Sequence, residues 1–92
     1  MYTPGAVVVI RGGVQGPGPA LGQMRAANVA KLVCISGEVA TVQRTRGPGG
    51  WFQRWHAPVE VPLGAIVREA TRRELVLGYP APEGPPLRPV TL

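Results

Sequence analysis

Residues 44–56 concentrate most of the functional chemistry of this chain. They hold both tryptophans (Trp51 and Trp55), the only phenylalanine (Phe52) and the only histidine (His56), set among Arg44, Arg46 and Arg54. Guanidinium groups pair with phosphates and carboxylates, and aromatic rings beside them stack on bases, so this combination suits nucleic acid or an acidic protein surface. The same rings also suit the core of a small β-domain. Arg72 and Arg73, with Arg68, form a second basic cluster, partly balanced by Glu69 and Glu74. The candidate partner-binding residues are therefore Arg44, Arg46, Trp51, Arg54, Trp55, Arg72 and Arg73.

Catalytic sets are missing from the composition. With no Asp, one histidine and one serine (Ser36), a Ser-His-Asp arrangement is impossible. A single His and a single Cys leave no histidine- or cysteine-based metal set. The five Glu are scattered and form no evident acid–base pair. The expectation is a protein that is not an enzyme, with no cofactor and no metal. Two motif-like stretches fail on inspection. The run from Gly16 to Gly22 follows a strand, as a phosphate-binding loop does, but its third glycine is displaced and Pro17 and Pro19 remove N–H donors. Gly64, Glu69 and Arg73–Leu75 share residue types with the Nudix hydrolase box. Their intervals are too short, and Val76 and Leu77 stand where metal-binding glutamates belong.

The elements that must position the basic aromatic segment are short. Ninety-two residues make one domain (1–92) with a small core. Thirteen Gly and eleven Pro interrupt apolar runs without any repeat, which fits strands joined by turns. Residues 6–11 are the clearest strand, and their continuous apolar character implies burial on both faces or a strand curling around a small barrel. Residues 12–27 read as a flexible Gly/Pro-rich loop. The stretch from Met24 to Val33 is compatible with a helical turn or, from Val29 to Ile35, a strand. Cys34 lies in an apolar run and is expected to be buried.

Residues 39–45 form a second strand, with Val39 and Thr41 on one side and Ala40 and Val42 on the other, joined to the preceding run by a turn at 36–38. After a turn at 46–50, residues 51–56 make the next strand. There Trp51, Gln53 and Trp55 share one face, Phe52, Arg54 and His56 share the other, and Arg44 lies near Arg54 across the ladder. Residues 59–61 are extended and end at Pro62. The periodicity of Leu63, Ile66, Val67 and Ala70 matches a helix, but Gly64 and the β-branched residues favour two short strands, 65–70 and 74–77, around Thr71–Arg73. A Pro-rich tail, 78–92, is expected to run extended and pack back on the domain. The sum is a mainly β fold: five to seven short strands in a small barrel.

The formal charge of +5 favours nucleic acid or an acidic protein surface as partner, although an arginine-rich coding background yields the same balance. No apolar segment is long enough for a membrane span, and the N-terminus does not read as a signal peptide, so the expected location is the cytoplasm. The exposed strand edges of a small open barrel also make a homo-oligomer plausible.

Residues 4–11, residues 28–33, the strand start at Gly50–Trp51 and the ending Leu87–Val90 resemble short SH3-like barrel proteins found in phages and in proteobacterial and prophage regions. That pattern has a Pro-Gly-led strand, an Asn-x-Gly with a valine-rich strand, and a Leu-Arg-Pro-Ile-like tail. This chain departs from it at Ala30, where Gly is usual, in the residue before Leu87, where Trp is missing, and in its longer 12–27 loop. The resemblance implies a compact module from a mobile element that acts by binding a host macromolecule. A phage inhibitor of a nucleic-acid defence complex, such as an anti-CRISPR protein, is one form. Direct nucleic-acid binding and a virion or assembly component are the other readings. The group supplies no catalytic residues to transfer.

Overall fold

The computed structural model describes residues 2–15, 23–24, 27–49 and 54–82. The expectations for Trp51, Phe52, Gln53, most of the Gly/Pro loop and the tail beyond Pro82 fall outside these residues. The fold is mainly β, as its composition requires. Strands β1 (Val7–Ile10), β4 (Asn28–Ser36), β5 (Val39–Arg44), β6 (Val59–Pro62) and β7 (Ile66–Glu69) form one antiparallel sheet in the order β6-β5-β4-β1-β7. The stretch expected to be a plain loop contains a small ladder of its own, β2 (Val14–Gln15) with β3 (Gln23–Met24).

The sheet must roll. A short 3-10 turn, Leu63–Ala65, is all that separates β6 from β7, which lie at opposite ends of the strand order. Flat, those edges would stand about 19 Å apart at the usual strand spacing. The four residue steps from Pro62 to Ile66 span at most ~14 Å even when fully extended. The end of β6 therefore meets the start of β7 only in a strongly coiled sheet, although among the described residues no ladder joins the two. The rolled interior collects Val8, Ile10, Ala30, Leu32, Ala40, Val42, Val61, Ala65 and Ile66. Thus β5 alternates as its sequence predicts, with Ala40 and Val42 inward. The unbroken apolar run of β1 is also explained: Val8 and Ile10 face this core, while Val9, with Val7 beside it, packs with Val29 and Ala70 on the outer face.

Two β-bulges decide which residues reach each face. In β4 the register shifts between Leu32 and Cys34, leaving Val33 as the extra residue, 38% exposed. Strict alternation from Ala30 and Leu32 would send Cys34 inward. The inserted residue resets the phase, so Ile35 packs on the core and Cys34 is exposed, contrary to the expectation of a buried thiol. In β7 the shift falls between the partners of Val9 and Ile10, leaving Val67 extra and 54% exposed. Ile66 stays in the core, while Arg68 is paired with Val9 and so belongs to the outer face. The β4–β5 hairpin closes over Gly37 and Glu38, with Gly37 at φ 61°, as the first position of a II′ turn requires.

The chain from Arg72 to Leu77, expected in part to be a strand, is an α-helix, α1. Six residues are far too few for a helix to persist alone. What holds it is a capping box: the Thr71 hydroxyl accepts from the Glu74 N–H at 3.1 Å, and the Glu74 carboxylate accepts from the Thr71 N–H at 2.8 Å. Gly78 ends it in the left-handed conformation.

The exposed Cys34 should label fully with a thiol reagent in native buffer, at close to the rate seen in denaturant. Cys34→Ser should change stability by less than about 0.5 kcal/mol. Leu32→Ala, which empties the core of the same strand, should cost about 3 kcal/mol in urea unfolding.

Candidate functional site: an arginine-lined ribbon end

Beyond Arg44 the chain turns and returns, and the two arms are joined by a bridge between Thr45 and Trp55. The Arg46 N–H donates to the Arg54 carbonyl at 3.0 Å and the His56 N–H to the Arg44 carbonyl at 2.7 Å. This register places Arg46 opposite Arg54 and Arg44 opposite His56, so Arg44 and Arg54 are diagonal neighbours on one side rather than a direct cross-strand pair. Opposed residues in an antiparallel pair project to the same side, and sides alternate along each arm. Thr45 and Trp55 therefore share one side, and Arg44, Arg46, Arg54 and His56 share the other. That second side continues the phase of Ala40 and Val42, so the arginines stand at the rim of the core. Arg46, Arg54 and His56 are exposed. Arg44 is half-buried, and its Nε is buried with no hydrogen-bond partner among the described residues.

Trp55, a binding candidate along with these arginines, points the other way, on the face opposite Arg54 and His56 that strand alternation predicts for it. Trp55 is half-buried on the outer side, with the Lys31 ammonium 5.1 Å from the centre of its ring. Lys31 went unnoticed in the sequence because it lies in a different strand and reaches Trp55 only through the β4–β5 register. His56 was set aside there as a lone histidine. Its place opposite Arg44 depends on the Thr45–Trp55 bridge.

The ribbon is fixed from below by β4 and by the end of α1. The Thr45 N–H donates to the Val29 carbonyl at 3.1 Å, the Thr45 hydroxyl donates to the Gly78 carbonyl at 2.8 Å, and the Gly49 N–H donates to the Val76 carbonyl at 3.1 Å. A β-carbon on Gly78 would lie 2.6 Å from the Gly47 carbonyl oxygen, so helix end and ribbon turn touch backbone to backbone. The other end of α1 is tied to β7. Arg68 holds Glu74 with a two-pronged ion pair, Nη1 to Oε1 at 2.6 Å and Nη2 to Oε2 at 2.8 Å, and the Ala81 N–H donates to Oε2 at 2.8 Å. The Glu74 side chain is fully buried. Burial opposes its charge, but the hydrogen bonds from Arg68, Thr71 and Ala81 outweigh it and lower the carboxyl to about 2. Arg68 is thus consumed in structure. Arg72 and Arg73 are exposed in the first turn of α1, while it is the far end of the helix that meets the ribbon, so the fold does not gather them into the Arg44–Arg46–Arg54 group.

A cleft of about 420 Å³ lies at the opposite end of β5, lined by Tyr2, Ile35, Gly37 and Leu63. Its described lining offers no carboxylate, imidazole or amine. Among the described residues, no three His, Cys, Asp or Glu cluster as a metal site, and no helix is long and apolar enough to cross a membrane. No protein-family model, curated protein or solved structure matches this chain.

Glu74→Gln should cost about 2 kcal/mol at neutral pH. This is below the range for breaking a wholly buried pair, because the Arg68 side chain is 36% exposed. Since folding lowers the Glu74 carboxyl to about 2, its contribution is full above the ordinary carboxyl range and is lost as pH falls toward about 2. Urea unfolding between neutral and strongly acidic pH should show this slope in the wild type and a shallower one in the variant. Gly78→Ala combines a left-handed backbone with the Gly47 contact and should lower stability by about 2 kcal/mol, measured in the same way.

Proposed function

We propose that this protein is a non-enzymatic β-module that acts by holding an acidic macromolecule, a nucleic acid or an acidic protein surface, against the end of the Thr45–Trp55 ribbon. The observation that carries this reading is the register that sets Arg44, Arg46 and Arg54 on one side of one rigidly supported ribbon. Like charges directly opposed across a ladder destabilise it. A negative partner lying along this side would meet all three guanidinium groups at once. The chain's resemblance to small phage and prophage barrels supports the same reading, with a host nucleic-acid machine as one class of target.

Chromatography on immobilised heparin, a general polyanion, tests the site. The wild type should elute above physiological salt and Arg46→Ala/Arg54→Ala well below it. Arg72→Ala/Arg73→Ala removes the same formal charge and should shift elution much less. Equal shifts in the two double variants would make the charge a diffuse property of the surface and remove the ribbon as a site.

A further inference from the structure

Resting on that reading, we infer that the ribbon end takes the phosphodiester backbone of nucleic acid, without reading base sequence, and that Arg44 is its fixed anchor. Three observations favour phosphate over the carboxylates of a protein surface.

The first is charge spacing. Opposed Cα atoms in such a ribbon stand about 5.5 Å apart, and successive same-side residues along an arm about 7 Å apart. Three guanidinium groups and the His56 imidazole therefore crowd a patch only one or two phosphates wide. A nucleic-acid strand brings closely spaced charges already linked in one chain. A protein surface must gather separate carboxylates on separate side chains and order each of them.

The second is Arg44. It is half-buried at the end of β5, and its Nε is buried with no hydrogen-bond partner among the described residues. The buried Nε is out of reach of an outside ligand, so the terminal nitrogens of the fork are what a ligand can meet, and a guanidinium fork matches phosphate geometry. Its restricted stem also loses less freedom on binding than the exposed Arg46 and Arg54.

The third is Trp55. It lies on the opposite side of the ribbon, with Lys31 over its ring. A strand lying along the arginines cannot at the same time stack its bases on that ring. Contacts confined to the backbone position a nucleic acid without carrying sequence information.

The test is fluorescence anisotropy on the full chain with two labelled DNA duplexes of about 12 base pairs and unrelated sequence, with poly-glutamate of matched charge as competitor, from about 50 to about 200 mM salt. The two duplexes should bind within about twofold of each other and at least tenfold more tightly than poly-glutamate. The slope of log affinity on log salt should lie near −2 for two phosphate contacts and near −1 in Arg46→Ala/Arg54→Ala. Arg44→Lys keeps the charge and loses the fork, so about a tenfold loss is expected, with circular dichroism confirming the fold. Poly-glutamate binding as tightly as DNA would overturn the phosphate assignment in favour of an acidic protein partner and leave the ribbon as the binding site. A strong preference between the duplexes would overturn backbone-only recognition. Binding of neither polymer would sink both this inference and the reading it rests on.

Discussion

The carboxylate of Glu74 is the point on which the described structure converges. It closes the capping box of a helix too short to exist alone, receives the Arg68 fork from β7, and accepts the Ala81 N–H where the chain leaves the helix. A charge buried this completely is tolerated only because its oxygens are occupied by donors. The consequence is transmitted along α1, whose C-terminal end carries the Gly78 carbonyl that receives the Thr45 hydroxyl. From Arg68 to Thr45, α1 ties β7 to β5 across the outer face, and the arginine ribbon begins where that tie ends.

Aiming Arg68 at Glu74 depends in turn on the bulge at Val67. Without the extra residue, strict alternation from Ile66 would keep Arg68 on the core side. The bulge at Val33 does the complementary job in β4, seating Ile35 and releasing Cys34 to solvent. Each bulge leaves a valine exposed, a modest loss of apolar burial set against correct placement of the residues that follow. Rolling of the sheet is the third constraint, imposed by the brevity of the Leu63–Ala65 corner.

The candidate site is better described as a two-sided ribbon than as a mixed aromatic and basic face. One side carries Arg44, Arg46, Arg54 and His56, and the other carries Trp55 with Lys31 across its ring. Among the described residues, Trp55 and the three arginines are thereby assigned to opposite surfaces. That separation is why the proposed contact is with backbone charge rather than with bases.

Much of the architecture was legible from residue types. β-branched runs bounded by Gly and Pro marked β1, β5 and β6. The alternation of Ala40 and Val42 with Val39 and Thr41 separated the two sides of β5, and packing decided that Ala40 and Val42 face the core; the continuous apolar run of β1 fitted a strand covered on both faces or one curling around a small barrel. The helix had a readable signal that strand propensity obscured: Thr71 followed three residues later by Glu74, then Leu75, with Gly78 at the end. The basic segment was visible as composition, as were the lack of Asp and the single His and Cys.

What the sequence could not determine are the offsets. A bulge is one residue of phase, decided by whether Ile35 or Cys34 packs better against strands distant in the chain, and no local pattern encodes that comparison. The pairing of Arg46 with Arg54, the approach of Lys31 to Trp55 and the burial of Glu74 beneath Arg68 follow from such offsets. The sequence by itself determined a small, basic, strand-rich domain. Only the tertiary structure decided which of its charges are built into the fold, as Arg68 and Glu74 are, and which are gathered on one side of the ribbon, because that division depends on register and long-range packing rather than on residue type.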